Sequence, residues 1–279
     1  MDSLRIGLSV ARNNMRKYLF SWRSLMIALV ALMLIYARSS EVRQLCDIYG
    51  ALASPLPLFV SFTNSLYPGT VLLVCWVLLV CDAPFIDESQ PMLLLRAGRA
   101  RWSLGQVAFL WGYALVYWLY VMLLCVLVLL PHVEWSTGWS DVYRSLEITG
   151  ESGNLKFYGS VMSEYSALSA CLFSLALNYT LSVAFAQLIY AINFATGKNY
   201  GAVLPVLFIM LEYFFQNWFV DNRFLFISPV SLARLHRLLL VNGPSLRYAM
   251  GTLWVLALAT AGVAVAIVRH RSIDVSTPV

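Results

Sequence analysis

The chain has 279 residues, 60% of them hydrophobic and only 12% charged, with a mean hydropathy of +0.73. A soluble domain carries roughly 25% charged residues, so this much apolar surface cannot be hidden inside one globule. A soluble enzyme, a disordered tail and a disulfide-stapled secreted domain are excluded, and room for several spans of about 20 apolar residues points to an integral membrane protein. The net charge of +5 reads as Lys and Arg gathered on the cytoplasmic side, not as a nucleic-acid surface. Cys46, Cys75, Cys81, Cys125 and Cys171 form no CxxC and read as small apolar fillers.

The N-terminal segment is too long and too charged for a cleavable leader and predicts a retained first span. Within it, Leu4, Leu8, Ala11, Met15, Tyr18 and Leu19 fall on one helical stripe, with Arg5, Arg12 and Arg16 together beside it. Residues 1–21 therefore predict an amphipathic helix in the membrane surface, its arginines toward lipid phosphates. Residues 22–279 predict an all-α domain of six transmembrane helices: Trp22–Ala37, Leu56–Cys81 interrupted by Pro68-Gly69, Val107–Leu130, Leu168–Ala195, Gly201–Val220 and Tyr248–Val268. With both termini in the cytoplasm, about eleven cations fall inside against about eight outside, a mild bias toward that orientation.

The loop of residues 82–106 between the second and third spans is unusual. Asp82, Asp87 and Glu88 form an acidic cluster, Met92 to Leu95 is apolar, and Arg96, Gly98, Arg99, Arg101 and Trp102 close the run. Pro91 suits a helix start and Gly98 a stop, so the pattern predicts a short helix over Pro91 to Ala97, with Trp102 at the membrane interface. Apolar side chains rimmed by charge on a short helix suggest a docking surface for another protein.

That loop, D-x-P-F-x-D-E…R-x-G-R-x-R-W, behind a basic amphipathic helix and ahead of four more spans, resembles the membrane subunit of bacterial ABC exporters of the second type (ABC-2-like permeases). The resemblance implies a coupling helix seated on a separate ATPase subunit, with Asp87, Glu88, Arg96, Gly98, Arg99 and Arg101 as contacts. It implies a permease pathway shared with a second permease chain, as homo- or heterodimer, in the bacterial cytoplasmic membrane. The chain lacks G-x-x-x-x-G-K-[ST], so it binds no cofactor itself, and ATP and Mg belong to the partner.

Asn64 and Tyr67 before the Pro68-Gly69 break, and Glu212 and Gln216 in the fifth span, are the candidate substrate-pathway residues. Asn178, Gln187 and Asn193 read as packing groups between helices. An alternative is a stand-alone secondary transporter, or a membrane-embedded scaffold or enzyme, using Glu212. Gly150-Glu151-Ser152-Gly153 resembles the serine motif of rhomboid proteases, but it falls in the polar outer loop of residues 132–166 with no His on a span. His132, His236 and His270 carry no metal-ligand spacing, so no metal site is expected. Ser231 to Leu240, with Arg234 and Arg237 three apart, predicts a second surface-lying amphipathic helix.

Overall fold

The computed structural model describes residues 2–85, 98–149, 155–218 and 224–270, with the side chains of residues 2–6, 149 and 216–218 outside that description. Asp87, Glu88 and Arg96, the expected helix over Pro91 to Ala97, and Gly150-Glu151-Ser152-Gly153 therefore lie outside the described residues, as do the side chains of Arg5 and Gln216. The described chain is helical throughout, its one β-bridge joining Ala53 to Val133.

Among the described residues, three helices are long and apolar enough to cross a membrane: α6 (Arg99–Val128), α9 (Ala167–Thr196) and α14 (Leu246–His270). At 1.5 Å per residue the first two run to about 45 Å. Their ends follow from local chemistry. Gly98, at φ 76°, turns the chain into α6 in a backbone conformation that side chains resist. Ser166 caps α9 by accepting from the Ser169 amide, and Gly197 ends it at φ 68°.

Two further candidate spans among the described residues are bent pairs. The first, α1 (Asp2–Leu19) with α2 (Trp22–Arg38), bends by 62°. The second, α4 (Pro55–Asn64) with α5 (Leu66–Val80), bends by 82°. Counting each pair as one span gives five candidates in place of the expected six. The expected fifth span falls on α10 (Val203–Trp218), of which Val203–Phe215 is a shorter apolar helix among the described residues. Helix α3 (Ser40–Tyr49) follows the first pair, and α7 (Asp141–Thr149) and α8 (Gly159–Glu164) lie in the loop before α9. Three one-turn helices, α11 (Phe224–Ile227), α12 (Pro229–Leu232) and α13 (Leu235–Leu238), join α10 to α14.

Helix α9 is the hub, packing against α4, α5, α6, α10, α13 and α14. Its Ser182 gathers two buried indoles: Trp76 Nε1 donates to the Ser182 carbonyl at 2.8 Å and Trp118 Nε1 to its hydroxyl at 2.9 Å. Tyr117 closes the same layer by donating to Leu72 O at 2.7 Å. In lipid, where hydrophobicity no longer drives helices together, such packing and hydrogen bonds do. Cys46, Cys75, Cys125 and Cys171 are buried free thiols in this core.

Helix α1 does not lie clear of the bundle. It packs along the first half of α6, where a Cβ on Gly105 would meet Gly7 O at 2.8 Å and Val10 Cβ at 2.9 Å. Asn14 Nδ2 donates to Gln106 Oε1 at 2.9 Å. The buried stripe is Gly7, Val10 and Asn14 with Ala11, Met15 and Tyr18 beside it, while Leu8 of the expected stripe is exposed. Arg12 and Arg16 are exposed on the other side.

Candidate functional site

The second span breaks at Ser65, three residues before the Pro68-Gly69 pair that signals it. Ser65 is extended (φ −70°, ψ 140°), so Leu66 opens a new helix and Pro68 falls in its first turn, where a missing N–H costs nothing. Gly69 lets that turn fold close against α4, since a Cβ there would sit 3.0 Å from Thr63 O.

Into this break runs the segment Ser228 to Leu238. The sequence predicts a surface-lying amphipathic helix over Ser231 to Leu240; the structure instead has two single turns, α12 and α13, with Arg234 extended between them and Ser231, Arg234 and His236 buried. Distant partners override the local pattern. Glu212, buried on α10, accepts from the Ser228 hydroxyl at 2.8 Å and the Ser231 hydroxyl at 2.7 Å. Arg234 donates to Thr70 Oγ1 at 3.1 Å and Leu66 O at 3.4 Å; burial pushes its guanidinium below the ordinary range, and the Glu212 charge only partly offsets this. Asn64 Oδ1 accepts from the His236 amide at 3.0 Å, while its Nδ2 donates to Val60 O at 2.8 Å and Ser174 Oγ at 3.2 Å. Asn178 reaches Ala233 O at 3.2 Å from α9.

Part of the loop before α8 covers the segment. The Lys156 amide donates to Ser65 Oγ at 3.0 Å, and the Ser61 hydroxyl donates to Lys156 O at 3.0 Å. The Tyr158 ring stacks on the His236 ring at 4.0 Å between centroids and 7° between planes. Burial pushes His236 well below the ordinary imidazole range, and Arg234, Arg237 and Lys156 press the same way.

Of the candidate pathway residues, Asn64 and Glu212 thus meet the same inserted segment from opposite sides. Tyr67 does not join them. It is half exposed, with the Arg38 guanidinium 4.7 Å over its ring.

At the other end of α5, residues Cys81 to Phe85 are held from three directions. Asn193 Nδ2 donates to Cys81 O at 2.8 Å and Ala83 O at 2.7 Å, and its Oδ1 accepts from the Gly201 amide at 2.6 Å. Arg23 pairs with Asp82 at 2.5 Å, and Asn199 also reaches Asp82 at 3.3 Å. Phe85 lies 4.4 Å from the Tyr18 ring and 5.6 Å from Phe109. Where the chain re-enters, Gly98, Arg99 and Arg101 are exposed. Trp102, expected at the membrane interface, is instead buried, with Phe194 of α9 6.4 Å away.

Two features escaped the sequence reading. Arg234 and His236 sit in a run whose i, i+3 charge spacing mimics a surface helix, and only Pro229 hinted at the break. Asn193 reads as a packing amide, and nothing local ties it to Cys81, 112 residues away. No protein-family model, curated protein or solved structure matches the chain.

Proposed function

We propose that the chain is the permease subunit of an ATP-driven exporter in the bacterial cytoplasmic membrane, with both termini in the cytoplasm. It pairs with a second permease chain and takes its energy from a separate ATPase subunit that holds ATP and Mg. The observation carrying this reading is the set of contacts that hold both ends of the loop of residues 82–106 to the bundle. A docking segment can move helices only if its roots do not yield. Here Asn193 and the Tyr18–Phe85–Phe109 cluster grip one root, and buried Trp102 grips the other. A pull on the loop therefore passes into α5, α6 and α9 together.

Such a pull shifts the bundle only if the ATPase binds the loop differently with and without nucleotide. Exposed Arg99 and Arg101 are the described residues offered to that contact. Glu212 fits an anchor of the inserted segment better than the ion carrier of a stand-alone transporter, because both its oxygens are taken by Ser228 and Ser231.

The double variant Arg99→Glu with Arg101→Glu is expected to insert normally and to lose transport-coupled ATP hydrolysis, measured with the reconstituted pair of subunits. The unaltered chain should co-elute with an ATPase in about equal amount, as expected of a symmetric assembly. Normal transport by the double variant, or cargo movement by the purified chain alone, overturns the reading.

A further inference from the structure

Large apolar side chains crowd one surface of the bundle, at the end of α6 away from Arg99 and Arg101. Ile48, Tyr49 and Trp135 are 73%, 76% and 79% exposed, and Leu52 and Leu130 are more than half exposed. Single exposed apolar residues are ordinary, but a cluster on one rigid frame calls for a cover. The frame here is well defined. Ala53, beside Leu52, donates to His132 O at 2.8 Å and accepts from the Glu134 amide, beside Trp135, at 3.1 Å. Asp47 Oδ1, beside Ile48, lies 3.2 Å from His132 Nε2, two residues after Leu130. The end of α3, the segment before α4 and the turn after α6 are thus held together.

The ends of α3 set its depth. It starts at the end of α2, where the Ser39 amide donates to Ile35 O at 3.0 Å, and Asp47 ties its other end to the turn after α6. Helices α2 and α6 run side by side, with Ser24 Oγ 2.8 Å from Tyr113 OH and Tyr120 OH donating to Ala28 O at 3.2 Å. From that level α2 runs about 22 Å from Arg23 to Arg38, and α6 runs about as far from Tyr113 to Val128. No charge lies on α2 between its two arginines. Arginines at the ends of such a run reach toward water, which stretches it toward the hydrocarbon thickness of about 30 Å. Helix α3 joins the far ends of both helices, so it lies across the ends of the bundle at the level of the headgroups.

Its faces suit that place. Val42 and Cys46 are buried against the protein, Leu45, Ile48 and Tyr49 form the adjoining apolar face at i, i+3 and i+4, and Arg43, Gln44 and Asp47 form the polar one. The patch also continues an exposed stripe of a candidate span, Leu119, Leu123 and Leu127 of α6, which runs on into Leu130. We propose that Ile48, Tyr49, Leu52, Leu130 and Trp135 sink into the boundary between lipid headgroups and acyl chains, making α3 a surface-lying anchor on the side of the bilayer opposite Arg99 and Arg101. Tyr49 and Trp135 fit that layer because each joins an apolar ring to a polar tip. The anchor rests on the chain being a membrane protein and not on its coupling to an ATPase.

The test uses the full chain in phosphatidylcholine nanodiscs, with Cys81→Ser removing the one cysteine that is not buried. Nitroxide labels are attached through Ile48→Cys, Trp135→Cys and, on the polar face, Gln44→Cys, exposed positions where a label displaces no packed group. Collisions with oxygen, which enters the acyl chains, and with a water-soluble nickel chelate read the depth of each label. The ratio of oxygen to nickel access should be severalfold higher at Ile48 and Trp135 than at Gln44. Equal ratios at the three positions, or nickel access at Ile48 and Trp135 as high as in free solution, overturn the proposal. Loss of access to both reagents at Ile48 and Trp135 also overturns it, in favour of a protein cover, which is a second copy of the chain if labels on neighbouring chains couple.

Discussion

The bundle has a straight half and a broken half, and they handle polarity differently. In the straight half, α6, α9 and α14 bury hydroxyls and amides: Ser103, Gln106, Ser174, Asn178, Ser182, Gln187 and Thr260. The buried acidic and basic side chains among the described residues, Glu212, Arg234 and His236, all belong to the broken half. An unbroken helix spends its carbonyls and amides on itself, so it has little left to offer a charge. A break releases them, and capping serines come with it. Ser228 and Ser231, which serve Glu212, are groups at such an end. Buried charge is thus placed where the backbone is already interrupted.

The sharpest way to break this comparison is to delete the charge. Glu212→Ala strips the acceptor from two buried hydroxyls and removes the carboxylate whose charge steadies Arg234. Removing one side of a buried charged contact costs about 3–5 kcal/mol. The variant should unfold far earlier in detergent, followed by near-ultraviolet circular dichroism, and Glu212→Gln, which keeps a carbonyl acceptor, should recover part of the loss. Near-normal unfolding of Glu212→Ala would show that the inserted segment does not depend on the charge.

A second effect, smaller in stability, concerns the straight half's contact with α1. Gly105→Leu puts a side chain where Gly7 O and Val10 already lie within 3 Å of a Cβ, so α1 has to leave or tilt. Overpacking of this kind costs about 1–3 kcal/mol. The local readout is more telling: cysteines introduced as Asn14→Cys and Gln106→Cys should cross-link readily, and the added Gly105→Leu should abolish the cross-link while the protein stays inserted. Persistence of the cross-link would mean that α1 is held by something other than this close approach.

The same division governs what the sequence discloses. Straight spans announce themselves by length: the expected fourth and sixth helices lie within α9 and α14, and the expected third overruns the end of α6 by two residues. The amphipathic character of α1 is also legible, but its partner is not. A stripe drawn for lipid contains Leu8, whereas a stripe facing a glycine on another helix uses Val10 and Asn14. Pro68-Gly69 signals the break in the second span, yet proline is tolerated in a first helical turn, so the bend falls at Ser65 instead. Least legible is the segment Ser228 to Leu238. Its charges read as a wet helix face because the acid and amides that receive it, Glu212, Asn64 and Asn178, are supplied by three other helices. No window of local sequence contains them.

The smallest expected effect tests whether the straight half's polar contacts are as modest as the comparison requires. Ser182→Ala removes the acceptor of Trp118 Nε1 but spares the Ser182 carbonyl that serves Trp76. Hydrogen bonds between helices in membranes are worth about 0.6 kcal/mol on average and rarely above 1.7, so a loss of about 1 kcal/mol is expected. Trp118→Phe removes the donor from the same contact. In that background Ser182→Ala should cost close to nothing, because no buried N–H is then left waiting. A cost that survives in the Trp118→Phe chain would trace to packing of the hydroxyl itself. A cost approaching that of Glu212→Ala would erase the distinction between the two halves, since a neutral hydroxyl would then matter as much as a buried charge.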